Sequence, residues 1–186
     1  MTLAKFAKGN SKRVMGIDAS THTIAYCIFD GESPVEWGEI NFDGGDVYQR
    51  ILDAKRKIRA LRKHFDTDFV VLEAAVMVRS ANTGLKMAYI FGSIMGELLE
   101  NGAEVLEVHP ITWQSYLGNK NFTKVEKEKV KADNPGRSDN WIKAKIREMR
   151  KQKTIDFVKT IGVNTTSDNV ADAAGIAWYA TKNMVR

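Results

Sequence analysis

Cysteine is almost missing from this chain, histidine is sparse, and no apolar run is long. One cysteine among 186 residues, Cys27, excludes a disulfide framework and a cysteine-rich zinc site. It lies in an apolar run and is expected in the core. The three histidines, His22, His64 and His109, are scattered, and none reads as a metal ligand. No apolar stretch reaches the roughly 18–20 residues of a membrane span. The opening "MTLAKFAKGNSKRV" is too polar and basic for the core of a signal peptide. These absences predict a soluble cytoplasmic protein with no membrane partner.

The apolar share is 44% and the charged share 27%, values of an ordinary globular protein. A chain of this length buries a sizeable core unaided. The net charge of +5 is unevenly placed. Between Lys120 and Lys159 there are 13 Lys and Arg against 6 Asp and Glu, while the remainder is slightly acidic. Such a surplus suits a polyanion, most often nucleic acid; a solvated lysine-rich helix fits the charge equally well.

Residues 1–12 read as a flexible N-terminal segment, and residues 13–186 as a single domain. "RVMGIDAS", "TIAYCIFDG" and "PVEWGEINF" read as a three-stranded antiparallel meander. A helix follows over residues 46–65, then the buried strand "DFVVLEA". A long helix over 81–101 leads to a further strand, "AEVLEVHP", and a short helix, "ITWQSYLG". Residues 119–141 show no clear periodicity, and Asn134-Pro135-Gly136 is a breaker. This stretch reads as a basic mobile excursion, reaching to about 145. Two helices close the chain, the last starting near Ser167. The order predicts an α/β fold with a mixed five-stranded sheet, helices on both faces, and the first and fourth strands parallel.

On that topology Asp18 ends the first strand and Glu73 the fourth, where ligands of open α/β sheets collect. Asp168 and Asp172 open the last helix four residues apart, on one face. Each has a plain explanation: a turn, a solvent-facing strand end, or for Asp168 a helix cap. Together, carboxylates that converge share protons or hold a cation. Oxygen ligands favour Mg²⁺ or Mn²⁺. Two such ions about 4 Å apart serve phosphodiester hydrolysis by activating water and stabilising the leaving oxygen.

The segments "MGIDASTHTIAYCIFDG", "VVLEAAVMVRSANTGLKMAYIFGSIMGELLENG" and "TSDNVADAAGIA", in this order and spacing, resemble the RuvC-like Holliday junction resolvases of the ribonuclease H-like superfamily, and most of all their phage-encoded branch. The resemblance spans most of residues 13–180 and is weakest from 119 to 145. It implies a ribonuclease H-like fold and a metal-dependent endonuclease that resolves branched DNA, leaving 5′-phosphate and 3′-hydroxyl ends. The implied catalytic and metal-binding acids are Asp18, Glu73, Asp172 and, at the fourth position, Asp168; Asn169 is the weaker alternative there. The cofactor would be Mg²⁺ or Mn²⁺, two ions per site. The partners would be four-way DNA junctions and a second copy of the chain, with helix 81–101 near the dimer interface. A phage origin would place it in the host cytoplasm.

Arg79, Lys86, Lys120, Lys124, Lys145, Arg147, Arg150, Lys151 and Lys153 are the expected DNA contacts. Val76, Met77 and Val78 occupy the place of a wedge that inserts at the junction. Trp113 stands where the family often has a basic residue. Gly84, Ala88, Gly92 and Gly96 form a small-residue stripe suited either to packing on the sheet or to the interface. Competing readings are a nuclease for RNA or RNA–DNA hybrids on the same fold, and a nucleic-acid binder whose site has decayed at Asn169.

Overall fold

The computed structural model describes residues 11–64, 66–74, 81–100, 102 and 104–185. The expectations placed on residues 1–10, Phe65, Val76, Met77, Val78 and Arg79 lie outside the described residues.

Three strands open the fold: β1 (Arg13–Ala19), β2 (Thr23–Asp30) and β3 (Ser33–Asn41). Alternating apolar residues and the turn at Gly31, with φ of +57°, make them an antiparallel meander. After α1 (Val47–His64) the chain returns as β4 (Phe69–Glu73), parallel to β1. Next, α2 (Ala81–Glu100) leads to β5 (Glu104–Val108), parallel to β4. The sheet order is β3-β2-β1-β4-β5, the expected mixed sheet. Four helices complete the chain: α3 (Pro110–Tyr116), α4 (Lys124–Ala132), α5 (Asp139–Thr160) and α6 (Asp168–Asn183).

The sheet divides two cores. Met15, Ile17, Ile24, Ile28, Val70 and Leu72 face α1 and α2, meeting Ile58, Ile90, Ile94 and Leu98. The alternate residues Val14, Ala25, Cys27, Phe29 and Val71 face α6, α5 and α3. Helix α6 lies very close to β1 because its buried face is Ala171, Ala173, Ala174, Gly175 and Ala177. At Gly16 of β1 an added Cβ would stand 2.2 Å from the Ala173 carbonyl oxygen. Glycine and alanine therefore set the depth at which α6 brings its acidic end to the sheet.

One expectation is corrected and one open choice is narrowed. The stretch 119–141, read as an irregular mobile excursion, contains α4. The Thr123 hydroxyl accepts from the Glu126 backbone, and the Glu126 carboxylate accepts from the Thr123 backbone, a complete capping box. Phe122 and Val130 pack with Ile142 of α5 as a small separate core. Only two buried apolar residues before the breaker support this helix, too few to display a period. The break itself is real: Gly136, with φ of +77°, separates α4 from α5. The open choice concerns the small-residue stripe. Among the described residues, a Cβ on Gly92 or Gly96 would meet nothing within 4 Å, so these glycines do not pack against the sheet. Ile90, Ile94 and Leu98 do that. The stripe opens outward beside the exposed Leu85, Tyr89 and Leu99.

Among the described residues, no helix is long and apolar enough to cross a membrane.

Candidate active site

One lateral row of the sheet carries the site. Glu39 of β3 pairs with Ala25 of β2, and Ala25 with Asp18 of β1. On the other side Ile17 pairs with Leu72, so Glu73 of β4 follows one step on, beside Asp18. Side chains alternate along a strand. Asp18 therefore shares the α6 face with Gly16, and Glu73 shares it with Val71. Helix α6 begins above this row. Its N-cap, Ser167, accepts from the Val170 amide and donates its hydroxyl to the Glu39 carboxylate. Asp168 and Asp172 then come down toward the sheet.

The electrostatics show that the four predicted acids share one environment. Burial, then the charges of Glu73 and Asp168, push the Asp18 carboxyl up to about 7. Burial, then Asp18, Glu73 and Asp168, push Asp172 up to about 8. Burial also raises Glu73, although the Trp113 indole opposes it by donating to Oε1 at 3.1 Å. Asp168 is the exception. Its partial burial would raise it, but the Lys151 ammonium donates to its carboxylate and holds it below the usual range. That ammonium also lowers Asp18 and Asp172. Asn169 is half-buried at the same helix start.

The donors are chemically right for a hard divalent ion: four carboxylates, three of them raised on balance by burial. Among the described residues, however, no three acidic, histidine or cysteine side chains stand close enough together to hold an ion as they are.

Next to Asp172 opens a cleft of about 320 Å³ between α3, α5 and α6. Its α5 wall is formed by Lys143, Ile146, Arg147, Arg150, Lys151 and Thr154, spaced to lie on one helical face. Gln114 and Asn119 form the opposite side. The Arg150 guanidinium donates to Gln114 Oε1 at 2.6 Å, and Asn119 Nδ2 to the Arg150 carbonyl at 3.0 Å. A cationic wall beside an acidic floor can hold a polyanion backbone while presenting one phosphate to the acids.

Of the expected DNA contacts, Arg147, Arg150 and Lys151 line this cleft. Lys145 instead pairs with Glu148, and Lys153 covers the Phe122 ring. Lys120 and Lys124 are exposed near α4, and Lys86 is exposed on α2. Sequence reasoning missed four residues. Lys143 was detectable from its spacing to Arg147, Arg150 and Lys151. Glu39, whose charge raises Asp18, was detectable only with the β3 register. The partnership of Trp113 with Glu73 spans 40 residues and leaves no local signal. His109 caps α3, its Nδ1 accepting from the Ile111 amide.

A mixed five-stranded sheet of order β3-β2-β1-β4-β5, with helices on both faces, is the architecture of a ribonuclease H-like fold. Solved structures share this fold. It superposes on Thermus thermophilus RuvC in complex with Holliday junction substrate, with a TM-score of 0.67 and 14% identity, covering 92% of this chain and 96% of that one. A second Thermus thermophilus RuvC structure gives 0.65 and 14%, covering 91% and 96%. The yeast mitochondrial Holliday junction resolvase Ydc2 gives 0.55 and 13%, covering 92% and 79%. The sequence matches no protein-family model and no curated protein. The fold is thus the ribonuclease H-like fold of RuvC.

Proposed function

We propose that this chain is a divalent-metal-dependent endonuclease that cuts branched DNA, with four-way junctions as its substrate. What supports the reading most is the charge that Glu73 and Asp168 exert on Asp18 and Asp172, beside a cationic cleft. The likeness to RuvC bound to a Holliday junction supports the choice of substrate.

Asp18, Glu73 and Asp172 would hold Mg²⁺ or Mn²⁺, with Asp168 as fourth ligand. Ions bound there supply an activated water and charge stabilisation for the leaving oxygen. The protein's own residues do the positioning. Arg147, Arg150 and Lys143 grip the strand on either side of the cut. Trp113 fixes the Glu73 carboxylate by its N–H, as an outer partner orients a ligand. Paired cuts at a two-fold junction call for two sites on a two-fold dimer. The outward face of α2, with Gly92, Gly96, Leu85, Tyr89 and Leu99, suits a second copy.

A substrate panel tests this. With Mg²⁺ or Mn²⁺ present, a synthetic four-way junction should be nicked at least about tenfold faster than linear duplex of the same sequence. Affinity should fall steeply with salt, as the number of phosphate contacts requires. Preferential cutting of an RNA–DNA hybrid would assign the chain to a different nuclease of this fold. Cutting of no substrate despite tight junction binding would mark a non-catalytic binder.

A further inference from the structure

Four carboxylates crowd one end of the sheet, yet they do not form a closed metal cage, and the molecule supplies a cation of its own. The Lys151 ammonium is paired with Asp168. Its charge also acts on Asp18 and Asp172, favouring the anionic form of each. Lys151 reaches this position from α5, and its side chain remains 40% exposed, so it has solvent-side room to move. The space beside it is the cleft it lines with Lys143, Arg147, Arg150 and Asp172.

Resting on the metal-site reading above, we propose that Lys151 is the resident counter-ion of the metal-free site. A divalent ion enters by displacing its ammonium from Asp168 into the cleft. There the freed ammonium is in place for a DNA phosphate. An ammonium and a divalent ion compete for the same carboxylate oxygens, and the ion that leaves must find another anion. The charged side chains lining the cleft are cations apart from Asp172, itself a metal ligand in this reading. A phosphate supplies the missing anion. Metal and DNA should therefore each strengthen the binding of the other, and such coupling is reciprocal. Lys151 is a positioning residue in this scheme, distinct from Arg150, whose guanidinium is held by Gln114.

Mn²⁺ binding, read by electron paramagnetic resonance of the free ion without nucleic acid, separates this role from a structural one. Lys151→Gln should bind Mn²⁺ about tenfold tighter than wild type, because its competitor is gone. Lys151→Arg should stay near wild type. A merely structural lysine predicts the reverse, weaker binding in Lys151→Gln, and that result overturns the proposal. Equal, measurable affinity in all three proteins also overturns it while leaving the metal site standing. Failure of all three to bind Mn²⁺ removes the metal-site reading itself, and the Lys151 role with it. The wild-type protein gives an independent readout if Lys151→Gln does not fold. In lysine-labelled nuclear magnetic resonance spectra, the ion-paired Lys151 ammonium should lose its protection from solvent exchange when Mg²⁺ is added. Protection unchanged at saturating Mg²⁺ would contradict the displacement.

Discussion

Asp18→Asn should lose junction cleavage by roughly 10³-fold or more while binding the junction at least as tightly as wild type. Asp18 sits at the centre of the acid row, between Glu73 on one side and Glu39 two strands away on the other. The amide keeps its shape but supplies a poorer, uncharged ligand, so metal-assisted chemistry suffers in full. In the proposed function DNA affinity comes from the cations of α5, and removing a negative charge near a phosphate should not weaken it. The substitution also relieves repulsion on Asp172, whose carboxyl is raised by Asp18 next after burial. The variant should therefore unfold at a higher temperature than metal-free wild type at pH 8. That excludes misfolding as the cause of lost activity. Gel-shift, nicking and thermal-unfolding measurements on the same preparation check all three results. Undiminished cleavage would remove Asp18 from the active site.

Metal-free protein should lose stability as pH rises from about 5 to 8.5, the opposite of an ordinary acidic surface. Asp18 and Asp172 titrate near 7 and 8 when folded, against 3.8 for the free side chain. Between these limits the native state holds protons that the unfolded chain has released. Raising pH then favours unfolding. The two groups interact, so they titrate as a pair. Each tenfold change in a proton-binding equilibrium between the folded and unfolded chain is worth about 1.4 kcal/mol, so the loss should reach several kcal/mol across this window. Below pH 4 a separate decline is expected. Glu97 is fully buried in α2, and although burial raises its carboxyl, Arg59 and Lys55 outweigh that and hold it low. Protonation breaks that pairing. Metal-free stability should thus peak near pH 5. Mn²⁺ should abolish the alkaline loss, because it binds the deprotonated acids and stabilises the folded state by mass action. Urea unfolding at a series of pH values, with chelator and with Mn²⁺, reads both effects. A flat metal-free profile from pH 5 to 8.5 would mean that the two aspartates do not share a buried site.

Much of this architecture is legible in the sequence, for physical reasons. Strand acids at the ends of β1 and β4 interrupt otherwise apolar runs, so Asp18 and Glu73 stand out. A helix of alanine and glycine that starts with two aspartates can only be a buried helix with an acidic end. The order of elements allows β1 and β4 to be parallel neighbours, and the structure pairs them so. What escaped depends on contacts distant in sequence. The indole of Trp113 reaches Glu73 only because α3 packs against α6 at Gly175, where an added Cβ would stand 2.8 Å from the Trp113 ring. Glu39 joins the row through strand register alone. Helix α4 is held by its capping box and a small satellite core rather than by a long apolar face. The glycines of α2 suit either a packed or an outward face, and only the empty space over Gly92 and Gly96 decides between them.

Crystals of the wild-type protein soaked in Mn²⁺ and measured for anomalous scattering give the most direct test. The account predicts manganese bound between the carboxylates of Asp18, Glu73 and Asp172, with the Lys151 ammonium withdrawn from Asp168. Manganese bound only elsewhere, or a site that stays closed around Lys151 at saturating metal, would contradict it.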